Sequence, residues 1–359
     1  MKLDIIAGAR PNFMKIAPLI RELDKVAEKI QYRLIHTGQH YDQKMSGSFF
    51  EQLGIPLPKI NLEVGSGSQA FQTARIMEKY EEVLVKEISD YCLVVGDVTS
   101  TMACAIVAKK MGVKVIHVEG GIRSNDMTMP EEINRMVTDA ITDVFYTTSR
   151  VANDNLLRLG HDHSKIIFVG NTMIDTLLHH LSRLQKPDFY DELGLIEKKY
   201  FVLTLHRPNN VDDKKSLSKL INNIMNGVKD LPVIFPVHPR TKKQMEEFNI
   251  QNNQLHLVEP QGYLEFNYLV QKALGVITDS GGITEETTVM GVPCLTLRDN
   301  TERPETVTFG TNELIGSNPI HLTSYLNNII EGKWKKGSVP ELWDGKTSQR
   351  IVQDLMNRI

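Results

Sequence analysis

Short, nearly unbroken apolar runs alternate along this chain with longer stretches of helical period. Leu3-Asp4-Ile5-Ile6-Ala7 is followed by Gly8-Ala9-Arg10-Pro11 and then by a helical stretch to about Lys25. Residues 32–36, 93–96, 113–118 and 143–146 repeat the pattern. Each run stops at a glycine or a polar residue, as expected of parallel strands buried on both faces and joined by helical crossovers. The pattern restarts at residues 200–205, 233–237, 274–278 and 292–297. Two α/β halves are therefore predicted. The break is expected in a polar helical connector over residues 170–187, with His179-His180 exposed on it. There is no short-period repeat and no low-complexity tract.

A length of 359 residues suits two domains, and 41% hydrophobic residues suffice for two closed cores without disulfide or metal staples. Lys+Arg 41 against Asp+Glu 44 gives a net charge of -3, so no basic field exists to drive nucleic-acid binding. No apolar stretch approaches the length of about 18 residues that a spanning helix needs, which argues against a membrane partner. Met1-Lys2-Leu3-Asp4-Ile5-Ile6 reads as a buried strand and not as a signal peptide. The three cysteines (Cys92, Cys104, Cys294) are too scattered for a disulfide framework or a zinc site. A reducing, cytoplasmic setting is expected.

The candidate chemistry lies where the apolar runs end, because open parallel sheets bind ligands beyond the carboxyl ends of their strands. The first half offers Arg10, Lys15, the Gln39-His40 pair, Asp97, Glu119, Arg123 and the Glu131-Glu132 pair. The second offers His206, Arg207, His238, Arg240 and the turn Asp279-Ser280-Gly281-Gly282. If the two sheets face one cleft, these groups converge there. The two glycines at a strand-to-helix turn would let a helix N-terminus meet a diphosphate, while an ordinary N-cap by Ser280 or Asp279 explains the same residues. Glu286 suits a ribose, or a solvated first turn of that helix. Arg10, Lys15 and Arg303 suit phosphate, or an exposed surface. Strand-end carboxylates near His206 suit proton transfer, or the orientation of arginines: Glu119 toward Arg123, or Glu132 toward Arg135 at i, i+3. No dinucleotide fingerprint follows the first strand, no H-E-x-x-H or paired C-x-x-C occurs, and Gly96-Asp97-Val98-Thr99-Ser100 is no nucleophile elbow. A metal is therefore not expected.

In order along the chain, Gly8-Ala9-Arg10-Pro11, His36-Thr37-Gly38-Gln39-His40, Val95-Gly96-Asp97, His117-Val118-Glu119-Gly120-Gly121-Ile122-Arg123, Pro130-Glu131-Glu132-Ile133-Asn134-Arg135, Gly170-Asn171-Thr172, Pro236-Val237-His238, Thr278-Asp279-Ser280-Gly281-Gly282-Ile283-Thr284-Glu285-Glu286 and Arg298-Asp299-Asn300-Thr301-Glu302-Arg303-Pro304-Glu305 resemble the motifs of the non-hydrolysing UDP-N-acetylglucosamine 2-epimerases. The resemblance spans residues 8 to about 310. It implies two Rossmann-like domains of the GT-B type facing a cleft: residues 1–170, residues 171–339 carrying the UDP site, and a last helix at about 340–359 packing back on the first. It implies that Asp97, Glu119, Glu131 and His206 are catalytic. Arg10, Lys15, His238, Gln261, Phe266, Ser280, Gly281, Gly282, Glu286 and Arg303 would bind the UDP-sugar, with Phe266 and Gln261 at the uracil. No cofactor is implied, and a homodimer is expected by analogy.

The implied reaction is C2 epimerisation of a 2-acetamido UDP-sugar through elimination and re-addition of UDP. A hydrolysing variant, a GT-B glycosyltransferase and a non-enzymatic nucleotide-sugar sensor are the alternatives. The chain departs from the family at three places. His206-Arg207-Pro208-Asn209-Asn210 stands where His-Arg-Arg-Glu is frequent, Tyr41 where Arg is frequent, and Gly120 where Ala is frequent.

Overall fold

The structure is a computed structural model. It describes residues 1–38, 50, 52–316 and 321–359, without the side chains of residues 10, 208 and 209. The chain forms two compact units, residues 1–179 with 341–359, and residues 180–340.

The first unit is built on seven parallel strands: β1 (Lys2–Ala7), β2 (Gln31–His36), β3 (Ile60–Asn61), β4 (Tyr91–Val95), β5 (Lys114–Val118), β6 (Val144–Thr147) and β7 (Ile166–Phe168), in the order β3-β2-β1-β4-β5-β6-β7. The second unit holds six: β8 (Phe201–Thr204), β9 (Val233–Pro236), β10 (Leu255–Val258), β11 (Gly275–Thr278), β12 (Cys294–Thr296) and β13 (Asn312–Leu314), in the order β10-β9-β8-β11-β12-β13. Among the described residues every strand pairing is parallel. Helices cover both faces, which is why the strands read as apolar runs. In the second sheet Phe201, Leu203, Phe235, Ile277 and Leu295 enter one buried cluster. Their neighbours Val202, Ile234, Val276 and Cys294 enter another. One strand residue of each pair therefore feeds each side of the sheet.

Strand order reverses between β1 and β4 in the first sheet and between β8 and β11 in the second. Crossovers leave these neighbouring strands in opposite directions and open a crevice at their carboxyl ends. The chain there is tight. A Cβ at Gly8, just past β1, would collide with the Ser100 hydroxyl.

The connector differs from expectation. Helix Thr172–His180 is mostly buried, including His180; only His179 is exposed. Its polar residues have internal partners. The Thr176 hydroxyl donates to the Met14 carbonyl at 2.6 Å. Asp175 accepts the backbone N–H groups of Thr347 (3.0 Å) and Ser348 (2.7 Å). All of this helix but His180 belongs to the first unit, so the division falls after residue 179 and not after 170. The C-terminal helix Thr347–Met356 packs on the helix Arg10–Asp24 in the same unit. Among the described residues no helix is long and apolar enough to cross a membrane.

Candidate active site

In the first unit the candidate residues cluster past β1, β4 and β5. Helix Arg10–Asp24 starts directly after the Gly8-Ala9 turn, and Asn12 accepts the N–H groups of Gly8 (3.0 Å) and Ala9 (3.1 Å). Arg10 opens this helix; its side chain lies outside the described structure, as do Gln39, His40 and Tyr41. Lys15, one turn on, is not a surface charge. Its Nζ lies 2.7 Å from Glu119 Oε2, with both side chains largely buried. Glu119 directly follows β5, with only 3% of its surface exposed and with φ +70°. A non-glycine residue in that region is uncommon and costs about 1–2 kcal/mol. The surroundings hold it there. Glu119 N–H donates to the Tyr146 carbonyl at 2.9 Å. Next to it, a Cβ on Gly120 would sit 2.7 Å from the Phe145 ring, so the family's frequent alanine at 120 would require that ring to move.

Asp97, past β4, is held by Arg135, with Nε at 3.1 Å from Oδ2 and a second contact from Nη2. Arg135 also binds Glu132 at 2.7 Å. Glu132 accepts the N–H of Ser124 (2.9 Å), the Ser124 hydroxyl (3.0 Å) and the N–H of Asn125 (3.1 Å). Burial raises its proton affinity, but these donors and Arg135 outweigh it and hold the carboxyl below the usual range. Glu132 is thus the arginine-orienting, loop-holding member of its pair. Glu131 beside it is half-buried at the start of helix Pro130–Ile141. Beneath them, His117 Nδ1 lies 2.7 Å from Asp139 Oδ1 and Nε2 lies 2.8 Å from the Gly96 carbonyl. Arg123, expected near Glu119, pairs with Asp139 at 2.6 Å.

In the second unit the site gathers past β8 and β11. Asp279 is fully buried. It accepts N–H groups from His206 (3.0 Å to Oδ2) and Arg207 (2.9 Å), and the Asn210 amide (3.0 Å). The His206 Nδ1 lies 2.7 Å from Asp279 Oδ1, while 59% of that imidazole side chain is exposed. Burial pushes the Asp279 carboxyl up, but His206 and the N–H donors outweigh it and hold the group below the usual range. Asp279 therefore does not cap the next helix, Gly281–Met290, and neither does Ser280, whose side chain makes no capping bond. The first-turn N–H groups lack a side-chain cap, the arrangement that suits an anion. A Cβ on Gly282 would meet nothing within 4 Å, and one on Gly281 would meet Arg298 Nη1 at 3.3 Å.

Glu286 is not solvated. It is 4% exposed, five residues into that helix, and the Asn267 amide reaches its Oε1 at 3.3 Å. Burial pushes its carboxyl up to about 7 against the opposing pull of Tyr263 and Asn267, with the Glu285 charge adding to the rise. Arg303 is also buried and not at the surface, with its Nε on Glu285. Phe266 is half-buried against the core of its helix. Gln261 donates to the Glu259 carbonyl at 2.7 Å. His238 is exposed and caps helix Pro239–Glu247 by accepting Arg240 N–H at 3.3 Å. Sequence reasoning had no sign that Asp279 meets His206, that Arg135 holds Asp97, or that Arg298, in an ion pair with Glu302 at 2.7 Å, lies beside Gly281. The spacing of Glu132 and Arg135 is the one signal that a helix reading could use.

Residues 21–356 match the family model for UDP-N-acetylglucosamine 2-epimerase. The UDP-N-acetylglucosamine 2-epimerase of Methanocaldococcus jannaschii is 43% identical over 99% of both chains. The UDP-2,3-diacetamido-2,3-dideoxy-D-glucuronate 2-epimerase of Pseudomonas aeruginosa is 40% identical over 88% of this chain and 89% of its own. The crystal structure of the M. jannaschii UDP-GlcNAc 2-epimerase in complex with UDP-GlcNAc and UDP matches with a TM-score of 0.89 at 42% identity, covering 99% of this chain and 100% of that one. The chain belongs to the UDP-N-acetylglucosamine 2-epimerase family and is an isomerase.

Proposed function

We propose that this epimerase interconverts UDP-N-acetylglucosamine and UDP-N-acetylmannosamine, or a close 2-acetamido pair, by anti-elimination of UDP and re-addition to a 2-acetamidoglycal, without net hydrolysis. The C2 proton of the sugar is not acidic, because no carbonyl is attached to that carbon. Departure of UDP from C1 supplies the driving force that deprotonation alone lacks. The C2 proton and the C1–O bond break together, the electron pair of the C–H bond forms the C1–C2 double bond, and UDP leaves with the pair of the broken C–O bond. Protonation of C2 from the other face and return of UDP to C1 give the epimer.

The observation that carries this reading is the buried Glu119 carboxylate, fixed in a left-handed backbone conformation against Lys15. Such strain is retained where geometry is being held for a purpose. In this reading Asp97, Glu119, Glu131 and His206 are the proton-transfer groups. Ser280, Gly281 and Gly282 border the diphosphate, with the N–H groups of Gly281 and Gly282 uncapped, that of Ser280 donated to Thr278 Oγ1 at 2.9 Å, and Arg10 and Lys15 as cations toward the same charge. Glu286 accepts the ribose hydroxyls, Phe266 and Gln261 border the uracil, and His238 and Arg303 complete the nucleotide contacts. Asp97 and Glu119 fit acid–base work because their partners, Arg135 and Lys15, fix their orientation.

Incubation with UDP-GlcNAc alone in deuterated water tests the proposal. The UDP-ManNAc-type product should carry deuterium at C2, with no stoichiometric release of free UDP. Retention of the original C2 hydrogen would refute elimination, and UDP accumulating with turnover would identify the hydrolysing reaction instead. The same assay with a 2,3-diacetamido uronate substrate reads out which sugar is preferred.

A further inference from the structure

We infer that Asp279 is a positioning residue for His206: its carboxylate takes the Nδ1–H of the imidazole and leaves Nε2 as the nitrogen that exchanges protons with substrate. This rests on the reading of His206 as a proton-transfer group.

The argument starts with the sheet. β8 and β11 are neighbours with Thr204 opposite Thr278. The chain therefore leaves the sheet at the same level on both strands, and His206 and Asp279 emerge side by side at the point where strand order reverses. The Thr204 and Thr278 hydroxyls join across the pair at 2.6 Å and tie the two strand ends together.

The carboxylate of Asp279 is surrounded by donors only. His206 N–H, Arg207 N–H and the Asn210 amide converge on Oδ2, and the imidazole approaches Oδ1. A protonated carboxyl would aim a hydrogen at one of these donors. The surroundings thus select the ionised, acceptor-only form. With an ionised acceptor at 2.7 Å from Nδ1, the Nδ1–H tautomer is favoured, because a lone pair there would face the negative charge. Nε2 is then the lone-pair nitrogen when the ring is neutral, and it has no hydrogen-bond partner among the described residues. When Nε2 takes a proton from substrate, the imidazolium that forms already has its counter-charge. When the proton is returned, Asp279 remains ionised throughout.

A purely structural role would use the same carboxylate to hold the turn through the backbone N–H groups alone. Two features argue for more. The carboxylate turns away from helix Gly281–Met290, leaving that helix without a side-chain cap. It also reaches a side chain whose other edge is open to solvent. One residue farther on, Ser280 begins the turn assigned above to the diphosphate. The leaving-group site and the orientation of the imidazole are therefore set by consecutive residues.

The test uses the full chain labelled with 15N-histidine, with the His206 signals identified by their loss in His206→Gln. At a pH where the ring is neutral, His206 should show a protonated Nδ1 and an unprotonated Nε2. In Asp279→Asn the amide NH2 can face Nδ1, so the tautomer should invert. The kcat for epimerisation should fall by about 10²–10⁴-fold while KM for UDP-GlcNAc changes by less than about threefold. An Nε2–H tautomer in the unsubstituted protein would overturn the inference, and that spectrum decides even where Asp279→Asn does not fold. A loss of kcat in Asp279→Asn with the tautomer unchanged would also overturn it, leaving only the turn-holding role. Full activity of His206→Gln would remove the catalytic reading of His206 itself, and the positioning role with it.

Discussion

The carboxyl of Glu286 shows how much a single side chain owes to its surroundings. In water it would ionise near 4.5, and burial moves it to about 7. Between these values the folded chain holds a proton that the unfolded chain has released. The stability this contributes is complete below about 4.5 and is lost as pH rises through about 7, on the order of 3 kcal/mol. Glu286→Gln should therefore raise the melting temperature at pH 8 and change it little at pH 4.5; equal shifts at both would contradict the assignment. Ribose hydroxyls donate best to the ionised form, so UDP affinity should increase as pH rises from 6 to 8 in the unsubstituted protein and lose that dependence in Glu286→Gln, as measured by calorimetric titration. Gly282 makes the complementary case. None of the described residues comes within 4 Å of a Cβ placed on it, so Gly282→Ala should leave stability unchanged or raise it by up to about 1 kcal/mol through helix propensity. If that space belongs to the diphosphate, UDP binding should weaken at least tenfold. None of this was readable locally. Glu286 sits in a helical sequence that fits a solvated face equally well, and no residue type announces the left-handed backbone of Glu119.

Strands divide sharply by position in the sheet. The apolar runs read from the sequence correspond to β1, β2, β4, β5, β6, β8, β9, β11 and β12. The four that left no signal, β3, β7, β10 and β13, are the four sheet edges. An inner strand of a parallel sheet is covered on both faces and is mostly apolar, its few polar residues such as His117 being paired internally, whereas an edge strand is short and partly open, and local composition does not mark it. The energetic consequence is measurable. Ile277→Ala in β11, at a fully buried inner position, should cost about 3–4 kcal/mol in denaturant unfolding. Ile60→Ala in β3, half-buried at the edge, should cost about 1 kcal/mol or less. A similar loss at both sites would show that the edge is as tightly packed as the centre. Helix 172–180 was misread as polar for a related reason. Asp175 and Thr176 look like surface residues until their partners, Thr347, Ser348 and Met14, are known.

Over the whole molecule, the chain leaves its first unit at residue 179 and returns to it at 341. The returning segment is secured by the buried Trp343, whose indole N–H donates to the Thr148 carbonyl at 3.1 Å, and by buried Ile351 and Leu355. Asp175 takes the place of a side-chain cap for the last helix, since Lys346 at its start provides none. Asp175→Ala should destabilise by about 2 kcal/mol, by leaving two buried N–H groups without an acceptor. Scanning calorimetry should show this as a lower transition for the first unit with that of the second unchanged. A uniform shift of all unfolding would contradict the division.

The sequence by itself determined the inner strands, the restart of the α/β pattern, and the placement of candidate polar residues at strand ends. A strand covered on both faces is mostly apolar along its length, and polar residues become frequent where that cover stops. The family motifs supplied the reaction, because they lie in order at those same stops. Only the tertiary structure decided which charges meet. Lys15 finds Glu119 across 104 positions, Arg135 finds Asp97 across 38, and Asp279 finds His206 across 73. Sequence distance carries no record of such encounters. They arise when strand order brings separate ends of the chain to one edge of a sheet, and burial there then sets which carboxyl keeps its proton and which gives it up.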